Sequence, residues 1–303
     1  MTPPAHAHSA ITTNGLTKSY DGFLAVTDLS IAVGLGSITG FLGQNGAGKS
    51  STIKMLLGMM RPTRGGGSVL GHDIADPAAS VAMRQRVAYV AEDKRLYDYM
   101  NVRQLIDFTR SFYPGWRDDI EAELLDEFRL PLNRSVKKLS KGMRTQTALL
   151  LAFARGAELL VLDEPTEGLD PVATEKVLQL VVRTAADGTT VFFSSHQIAE
   201  VEQVADRVLM IDRGKLVLDT SVDAVKEEFR RIRAVYDGPT RPDVATIPGV
   251  RRVEVDGRLM SVMASHNVDA IVRQLRTGPA TSVEVVPVTL KEVLLESIGT
   301  AKR

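Results

Sequence analysis

The chain has 303 residues and no cysteine, and its 37 basic residues balance its 37 acidic ones. This length predicts one large domain or two unequal ones, and 44% hydrophobic with 24% charged residues is typical of a globular protein. The lack of cysteine excludes a disulfide scaffold. A net charge of zero gives no overall basic field, so no nucleic-acid partner is predicted.

No segment of the sequence is apolar enough to predict a membrane span. The longest apolar run, 148–154, is far shorter than the roughly 20 residues that a spanning helix needs. Residues 1–9 lack the basic and apolar regions of a secretory signal, and we interpret them as a flexible tail. We therefore expect a chain that does not itself cross a membrane.

Strands alternate with helices from residue 10 to about 219, which predicts a parallel α/β sheet. Asp21-Gly22 predicts a hairpin between a run ending at Tyr20 and the run 23–33. Patterns of helical spacing interrupted by Pro114-Gly115 predict a helical insertion over about 93–148. Further strands are predicted at 37–42, 87–90, 159–162, 191–194, 207–211 and 216–218, and helices at 50–60, 141–155, after 171 and at 198–205.

Residues 220–303 are predicted to form a small α/β accessory domain. Asp256-Gly257 predicts a hairpin, a helix around 271–275 is expected to end at Gly278, and a strand is predicted at 282–288. Thr289 and Glu292 have the spacing of a capping box for a last helix that Gly299 ends. Three arginines, Arg230, Arg231 and Arg233, are interpreted as a solvated helix face in preference to an anion site.

The segment 43–50 fits the phosphate-binding pattern G-x-x-x-x-G-K-[ST] at every fixed position, between a predicted strand and a predicted helix. Its glycines let backbone N–H groups converge on phosphate oxygens, and the following helix adds the positive end of its dipole. Lys49 is predicted to reach the β- and γ-phosphates, and the Ser50 hydroxyl to coordinate Mg²⁺. The predicted nucleotide contacts of this region are Gly43, Gln44, Asn45, Gly46, Ala47, Gly48, Lys49, Ser50 and Ser51.

Two carboxylates, Asp163 and Glu164, follow the buried run 159–162. Because adjacent strand residues point to opposite faces, the two are expected to act differently. Asp163 is predicted to hold Mg²⁺ as the carboxylate of a Walker B strand does, and Glu164 to polarise the attacking water. The alternative is a solvated strand end with two ordinary acids, which the phosphate-binding segment disfavours.

A third motif, Leu139-Ser140-Lys141-Gly142-Met143, opens a helix ahead of the carboxylates. Here the sequence resembles the ATP-binding subunits of ABC transporters, whose signature is LSGGQ; Lys141 and Met143 depart from it. The resemblance covers about residues 10–219 and implies a P-loop NTPase with a RecA-like parallel core and an N-terminal antiparallel β subdomain. It also implies that Ser140 and Gly142 bind ATP held by a second subunit in a head-to-tail homodimer or heterodimer.

The resemblance assigns further residues. It implies that Tyr20 stacks on adenine, that Asp170 couples the two ATP sites, and that His196 contacts the γ-phosphate. Where the family usually has a glutamine, this chain has Glu92, which keeps an oxygen for Mg²⁺ but loses an amide donor. Glu92-Asp93-Lys94 with Leu96-Tyr97 resembles a branch of the family common in bacterial exporters.

The function implied is hydrolysis of MgATP, with Lys49, Glu164 and His196 as catalytic residues. Hydrolysis is expected to power solute transport, with export favoured over import, through a separate transmembrane permease subunit. The chain is accordingly expected in the cytoplasm, peripheral on the cytoplasmic face of the membrane. Tyr97, Tyr99 and Met100 suit either a permease-docking surface or the internal packing of the insertion.

Three other function classes are alternatives to a transporter ATPase. An ABC-type ATPase of translation or DNA repair typically has two ATPase units or a long coiled coil, and this sequence has neither. A P-loop kinase or GTPase is disfavoured by Ser140, by the carboxylate pair and by His196. A non-catalytic regulatory module does not explain why Lys49 and both carboxylates are present.

Overall fold

A computed structural model describes residues 9–238, 242–277 and 280–293. Residues 1–8 of the predicted tail lie outside this range, and so do Gly278 and Gly299, which were expected to end helices. The chain divides into two compact units, the first ending at Leu216 and the second beginning at Val217. Within the described ranges, none of the helices combines the length and apolar character that crossing a bilayer requires.

The first unit alternates strands with helices. Its elements are, in chain order, β1 (Ser9–Tyr20), β2 (Phe23–Leu29), β3 (Ala32–Gly34), β4 (Ile38–Leu42), α1 (Lys49–Leu56), β5 (Arg64–Val69), β6 (His72–Asp73), α2 (Pro77–Arg86), β7 (Val87–Val90), α3 (Val102–Arg110), α4 (Asp118–Phe128), α5 (Lys141–Phe153), β8 (Leu159–Asp163), α6 (Pro171–Ala186), β9 (Thr190–Ser195), α7 (Ile198–Val204), β10 (Arg207–Asp212) and β11 (Lys215–Ser221), the last of which runs across the unit boundary.

Two sheets organise this unit. The six-stranded sheet has the order β11-β10-β4-β9-β8-β7, and its neighbours from β10 to β7 are parallel, which confirms the predicted α/β core. A separate antiparallel sheet contains β1, β2, β3, β5 and β6. Every residue of β4, β8 and β9 is buried, as expected of parallel strands covered on both faces.

The parallel register brings three predicted motifs to one edge of the sheet. Leu42, the last residue of β4, lies opposite Ser195 of β9, and Asp163, the last residue of β8, lies opposite Ser194. In open α/β sheets, ligands bind at the carboxyl ends of the strands. The loops after β4, β8 and β9 therefore meet where a ligand is expected.

Two predicted elements differ from those observed. The hairpin at Asp21-Gly22 is confirmed, with both residues at positive φ. However, the run 23–33 is interrupted at residues 30–31, and the chain continues as the separate strand β3; Asp28, with φ 52°, lies within β2, where the pairing with β1 shifts register. The helix predicted over 50–60 ends at Leu56, and Gly58 just beyond it adopts φ 62°, a left-handed conformation that glycine adopts readily.

Helices α3 and α4 of the insertion are joined through one buried carboxylate. Glu121 accepts hydrogen bonds from Arg103 at 3.1 Å and from Trp116 at 2.8 Å, and it also pairs with Arg110. Burial works against ionisation, but the hydrogen bonds from Arg110 and Trp116 outweigh it and lower the pKa of Glu121. The carboxylate therefore stays charged and stabilises the contact between the two helices.

Glu121→Gln is expected to destabilise the insertion by about 1.5–3 kcal/mol at neutral pH, the usual contribution of hydrogen bonds to a charged group. Because the folded-state pKa of Glu121 is depressed, its contribution is present above the unfolded pKa of about 4.3 and is lost as the pH falls through the folded value. The difference in urea-unfolding free energy between wild type and variant should therefore shrink in acid.

Trp116, the single tryptophan, is a direct fluorescence probe of this unfolding. Glu123→Gln is the matched control, because Glu123 lies in the same helix and pairs with Arg183 at the surface; it should change stability by no more than about 1 kcal/mol. Equal effects of the two variants, or a difference that grows in acid, would contradict the assignment.

The second unit is an antiparallel sheet with helices, which confirms an α/β domain. Its elements are α8 (Val222–Glu228), β12 (Arg230–Tyr236), β13 (Val250–Asp256), β14 (Leu259–Ala264), α9 (Val268–Leu275) and β15 (Ala280–Pro287), with the strand order β13-β14-β12-β15. The hairpin at Asp256-Gly257 is confirmed. So is the capping box, in which Thr289 N donates to Glu292 at 3.0 Å and Glu292 N donates to Thr289 Oγ1 at 3.4 Å.

The interpretation of the three arginines as a helix face is wrong. Arg230, Arg231 and Arg233 lie in β12, a central strand of the sheet. Ile232, Ala234 and Tyr236, which alternate with Arg231, Arg233 and Val235, are fully buried in the core of this unit. This period of two is the signal of a strand with one buried face.

Candidate active site

The loop between β4 and α1 has the backbone of a phosphate-binding turn. Gly46 adopts φ 81°, and Gly48, the N-cap of α1, adopts φ 110°. A Cβ at Gly48 would lie 2.4 Å from the carbonyl oxygen of Ala25, so only glycine fits there. The loop thus leads directly into the N-terminus of α1. The unpaired backbone N–H groups at this helix end can bind an anion such as a phosphate group.

A cavity of about 310 Å³ lies over this loop. Its lining includes residues that the sequence predicts to contact adenine, to bind phosphate and to polarise the attacking water. Gly43 and Ala47 are buried beneath the loop. The cavity is lined by Tyr20, Phe23, Ala25, Gln44, Asn45, Gly46, Gly48, Lys49, Ser50, Ser51, Glu92 and Glu164.

Lys49 and Glu164 form a buried ion pair in this cavity. The Lys49 ammonium donates to the carbonyl of Gly43 at 2.7 Å and lies 3.2 Å from Glu164 Oε1. Both side chains are only 6% exposed, so their charges are poorly screened by water. The Lys49 ammonium is thus held within the cavity itself.

The two carboxylates after β8 are held differently, as the sequence predicts. Asp163 Oδ1 accepts a hydrogen bond of 2.5 Å from the Ser194 hydroxyl, whose oxygen in turn accepts one from the Glu164 backbone N–H at 3.1 Å. Glu164 then turns away into the loop cavity, with φ 49°. Glu164 Oε2 lies 2.9 Å from His196 Nδ1, so the carboxylate stands between the Lys49 ammonium and an imidazole.

Asp163 faces a second cavity, of about 500 Å³. Ser50 and Glu92 also line it, and the Ser50 hydroxyl lies 3.4 Å from Glu92 Oε2. Hydroxyl and carboxylate oxygens are the ligands that Mg²⁺ prefers, usually one or two from the protein with the rest from phosphate and water. Among the residues that the structure describes, no group of three or more His, Cys, Asp or Glu side chains is placed to hold a metal ion.

Tyr20 lies at the rim of the loop cavity with 41% of its surface exposed. Its hydroxyl donates to Met60 Sδ at 2.9 Å and lies 3.4 Å from Ser51 Oγ. The Lys18 ammonium sits 5.2 Å from the centre of its ring. The aromatic face is therefore positioned by α1 and its following turn, beside the phosphate-binding loop.

The predicted signature residues do not line the loop cavity of their own chain. Ser140 is exposed at the N-cap of α5, where its hydroxyl accepts from Met143 N at 3.2 Å. Asp170 is likewise an exposed N-cap, accepting from Ala173 N at 2.9 Å at the start of α6. A Cβ at Gly142 would come within 3.2 Å of the carbonyl of Gly168, so α5 approaches the segment after the carboxylates closely.

That close approach explains how Lys141 is accommodated. Its ammonium pairs with Glu167 Oε1 at 2.7 Å, and its methylene groups pass over Gly168, where a Cβ would collide with them at 2.9–3.1 Å. The exposed ion pair and the glycine together hold the lysine flat against the surface of its own chain.

The sequence assigns no role at the site to two residues that contact the carboxylates, although Lys94 belongs to the exporter-like segment Glu92-Asp93-Lys94. Ser194 connects the two carboxylates, and the pairing of β8 with β9 places it beside Asp163. Lys94 donates to the backbone of Asp163 and Glu164 from a loop distant in sequence. A buried lysine has no signature in a linear pattern.

Comparison with known proteins agrees with this geometry. Residues 26–167 match the family model described as ABC transporter. The chain is 32% identical to "Daunorubicin resistance ATP-binding protein DrrA3" of Streptomyces coeruleorubidus, over 96% of this chain and 95% of that protein. The chain belongs to the family of ABC transporter ATP-binding proteins. The "Nod factor export ATP-binding protein I" of Rhizobium johnstonii is 31% identical, over 96% of this chain and 95% of that protein.

The fold agrees as well. The solved "Structure of ATP binding subunit of ABC transporter" superposes with a TM-score of 0.65 at 28% identity, covering 72% of this chain and 92% of that chain. The first unit therefore has the P-loop NTPase fold of ABC ATPase subunits. This ABC subunit binds and hydrolyses ATP, which is the activity of its family.

Proposed function

We propose that this ABC subunit hydrolyses MgATP at the carboxyl edge of its parallel sheet to power solute export through a separate membrane subunit. The observation that carries the proposal is the position of the Glu164 carboxylate. It is buried 2.9 Å from His196 and 3.2 Å from Lys49, above the phosphate-binding loop. A carboxylate held beside a phosphate site is placed to act on the water that attacks the γ-phosphate.

Binding uses the loop cavity as a whole. Backbone N–H groups of residues 43–50 and the N-terminus of α1 surround the phosphates, while Tyr20 offers a ring face to adenine at the rim. Lys49 moves its hydrogen bond from the Gly43 carbonyl to the β- and γ-phosphate oxygens. Ser50, Asp163 and Glu92 supply the oxygens for Mg²⁺, which would neutralise charge on the phosphates.

Hydrolysis then follows from charge and position. Glu164 accepts a proton from the water as its oxygen attacks the γ-phosphorus in line with the departing ADP oxygen. His196 holds Glu164 through Nδ1 and stands near the γ-phosphate. Lys49 and the N–H groups of the loop stabilise the charge that develops on the transferred group. Most of the rate enhancement comes from such positioning and electrostatics.

The site is completed by a second subunit. Ser140, Gly142 and Asp170 lie on the surface of their own chain rather than in its cavity. In a head-to-tail dimer, whether of two copies or of this chain and a relative, Ser140 of each subunit donates to the γ-phosphate held by the other. Two ATP molecules then lie between the subunits, and ADP weakens the contact because the γ-phosphate is gone.

Ser140→Ala is expected to weaken ATP-driven dimerisation of two copies by about 100- to 10,000-fold, since a hydrogen bond to a charged group contributes about 1.5–3 kcal/mol and one is lost at each of the two ATP sites. ATP binding by the single chain should stay within about threefold, because Ser140 does not line its own cavity. Sedimentation with and without MgATP measures the first quantity and equilibrium nucleotide binding the second.

The control for this variant removes the same kind of helix cap elsewhere. Ser221→Ala deletes an N-cap hydroxyl that accepts from Ala224 N at 3.0 Å in the second unit. It should cost about 1 kcal/mol of local stability and leave dimerisation unchanged. If Ser140→Ala instead abolished nucleotide binding by the single chain, the composite site would be wrong.

The membrane partner is expected on the insertion. Four exposed aromatic rings form a continuous row there: Tyr97, Tyr99, Phe108 and Phe112, with centroid distances of 5.0–5.8 Å between neighbours. An exposed apolar cluster of this kind is typical of a protein contact. A permease segment on this row would hold the subunit on the cytoplasmic face of the membrane. Export is supported by the names of two relatives, which concern daunorubicin resistance and Nod factor export.

A further inference from the structure

Lys94 is buried to 7% exposure, although lysine is among the residues least often buried. Its ammonium donates to the carbonyl oxygen of Glu164 at 2.8 Å and to that of Asp163 at 3.3 Å. The hydrolysis described above makes no use of this cation. Its contacts are with the backbone that carries both carboxylates.

These two carbonyls belong to a constrained turn. Asp163 ends β8, and Glu164 adopts the left-handed conformation with φ 49°. That conformation costs an L-residue about 1–2 kcal/mol, so something must hold it. Because φ and ψ set the direction of the Cα–Cβ bond, the turn decides where the Glu164 carboxylate points.

Charge-assisted hydrogen bonds suit this task. An ammonium that donates to two successive carbonyls draws both to one side, and such bonds are stronger than those between neutral groups. Burial lowers the pKa of Lys94, while the carboxylates of Glu167, Asp163, Glu92 and Glu164 oppose the shift. These carboxylates favour the charged form of the lysine, which is the form that donates charge-assisted hydrogen bonds to the two carbonyls.

Lys94 is also separate from the nucleotide cavity. It lines the larger cavity with Ser50, Glu92 and Asp163, but it is absent from the lining of the cavity over the phosphate-binding loop. Lys94 therefore borders the oxygens proposed to hold Mg²⁺, but removal of its side chain should leave the contacts of the loop cavity with adenine and the phosphates unchanged. The expected effect lies in the chemical step rather than in binding.

We propose that Lys94 is a positioning residue that fixes the turn at Asp163 and Glu164 through their carbonyl oxygens and thereby aims the Glu164 carboxylate. This inference rests on the proposed role of Glu164. Misplacement of a catalytic group by about 1 Å costs roughly 100-fold in rate. Lys94→Met should therefore lower kcat by about 10- to 100-fold.

The experiment measures kcat, KM and equilibrium ATP binding of the full chain. For Lys94→Met, KM and the ATP dissociation constant are expected to stay within about threefold of wild type. Lys94→Arg, whose guanidinium can donate to both carbonyls, should restore most of kcat. Arg95→Met is the control: it removes the next cation in the same loop, one that pairs with Asp93 and is 89% exposed, and it should leave kcat unchanged.

Each outcome is decisive. An unchanged kcat in Lys94→Met, or equal losses of kcat and ATP binding, would overturn the positioning role. If Lys94→Met does not fold, Lys94→Gln is measured in its place. Equal kcat values for Lys94→Gln and Lys94→Arg would then overturn the positioning role. Failure of the proposed function is distinguishable, because Glu164→Gln would then keep its turnover whatever Lys94 does.

Discussion

Glu164→Gln is expected to slow ATP hydrolysis by about 1000-fold, within the 100- to 10,000-fold range that general bases contribute, while ATP stays bound. Glutamine has nearly the same size and still hydrogen-bonds with His196, but its amide cannot accept the proton of the attacking water. Before ATP binds, Lys49 keeps its bond to the Gly43 carbonyl, so the cavity is expected to retain its shape. Phosphate release at saturating MgATP measures the effect.

Glu158→Gln is the matched control. Glu158 immediately precedes β8, at the opposite end of the strand, where it pairs with Arg86 at 2.6 Å on the surface. Losing that pair should cost no more than about 1 kcal/mol of stability and leave turnover unchanged. If Glu164→Gln retained turnover within about tenfold of wild type, a loss far smaller than a general base gives, Glu164 would not be the base.

Lys49→Met is expected to weaken ATP binding by about 100-fold. One charge-assisted bond to phosphate contributes about 1.5–3 kcal/mol, and a factor of ten corresponds to about 1.4 kcal/mol. The substitution also removes the cation that pairs with the Glu164 carboxylate. Glu164 is only 4% exposed and would face the phosphates without a compensating charge. Repulsion between these like charges adds to the lost attraction.

Lys54→Met provides the comparison, because Lys54 lies further along α1 with an exposed side chain that lines the larger cavity but not the cavity over the phosphate-binding loop. Equilibrium titration with a fluorescent ATP analogue should show a change of no more than about threefold for it. Comparable affinities for Lys49→Met and wild type would show that the phosphates are held elsewhere.

The core of the site could be predicted because its signals are local. The strand, loop and helix around residues 43–50 form one continuous pattern, and a buried run ends directly at Asp163 and Glu164. Parallel pairing then brings the ends of β4, β8 and β9 together, as the register shows. Sequence order and the chemistry of the strand ends were sufficient to predict these elements.

The remaining features depend on contacts between distant segments. Lys94 reaches a backbone far along the chain, and its burial contradicts what its residue type predicts. In β12, the three arginines led to the prediction of a solvated helix face. Ile232, Ala234 and Tyr236 recur at the period of two that indicates a strand, but the run is too short to be recognised beside these charged residues. The register shift within β2 accompanies the left-handed conformation of Asp28, which its residue type does not require.

We propose that Glu164 acts on ATP at a site that a second subunit completes. The most direct test of this proposal is gel filtration of the Glu164→Gln full chain after incubation with MgATP, followed by analysis of the retained nucleotide and of the particle mass. We expect to recover unhydrolysed ATP, at one molecule per chain, in a particle that contains two chains. Recovery of ADP, or of ATP in a particle with the mass of one chain, would contradict it.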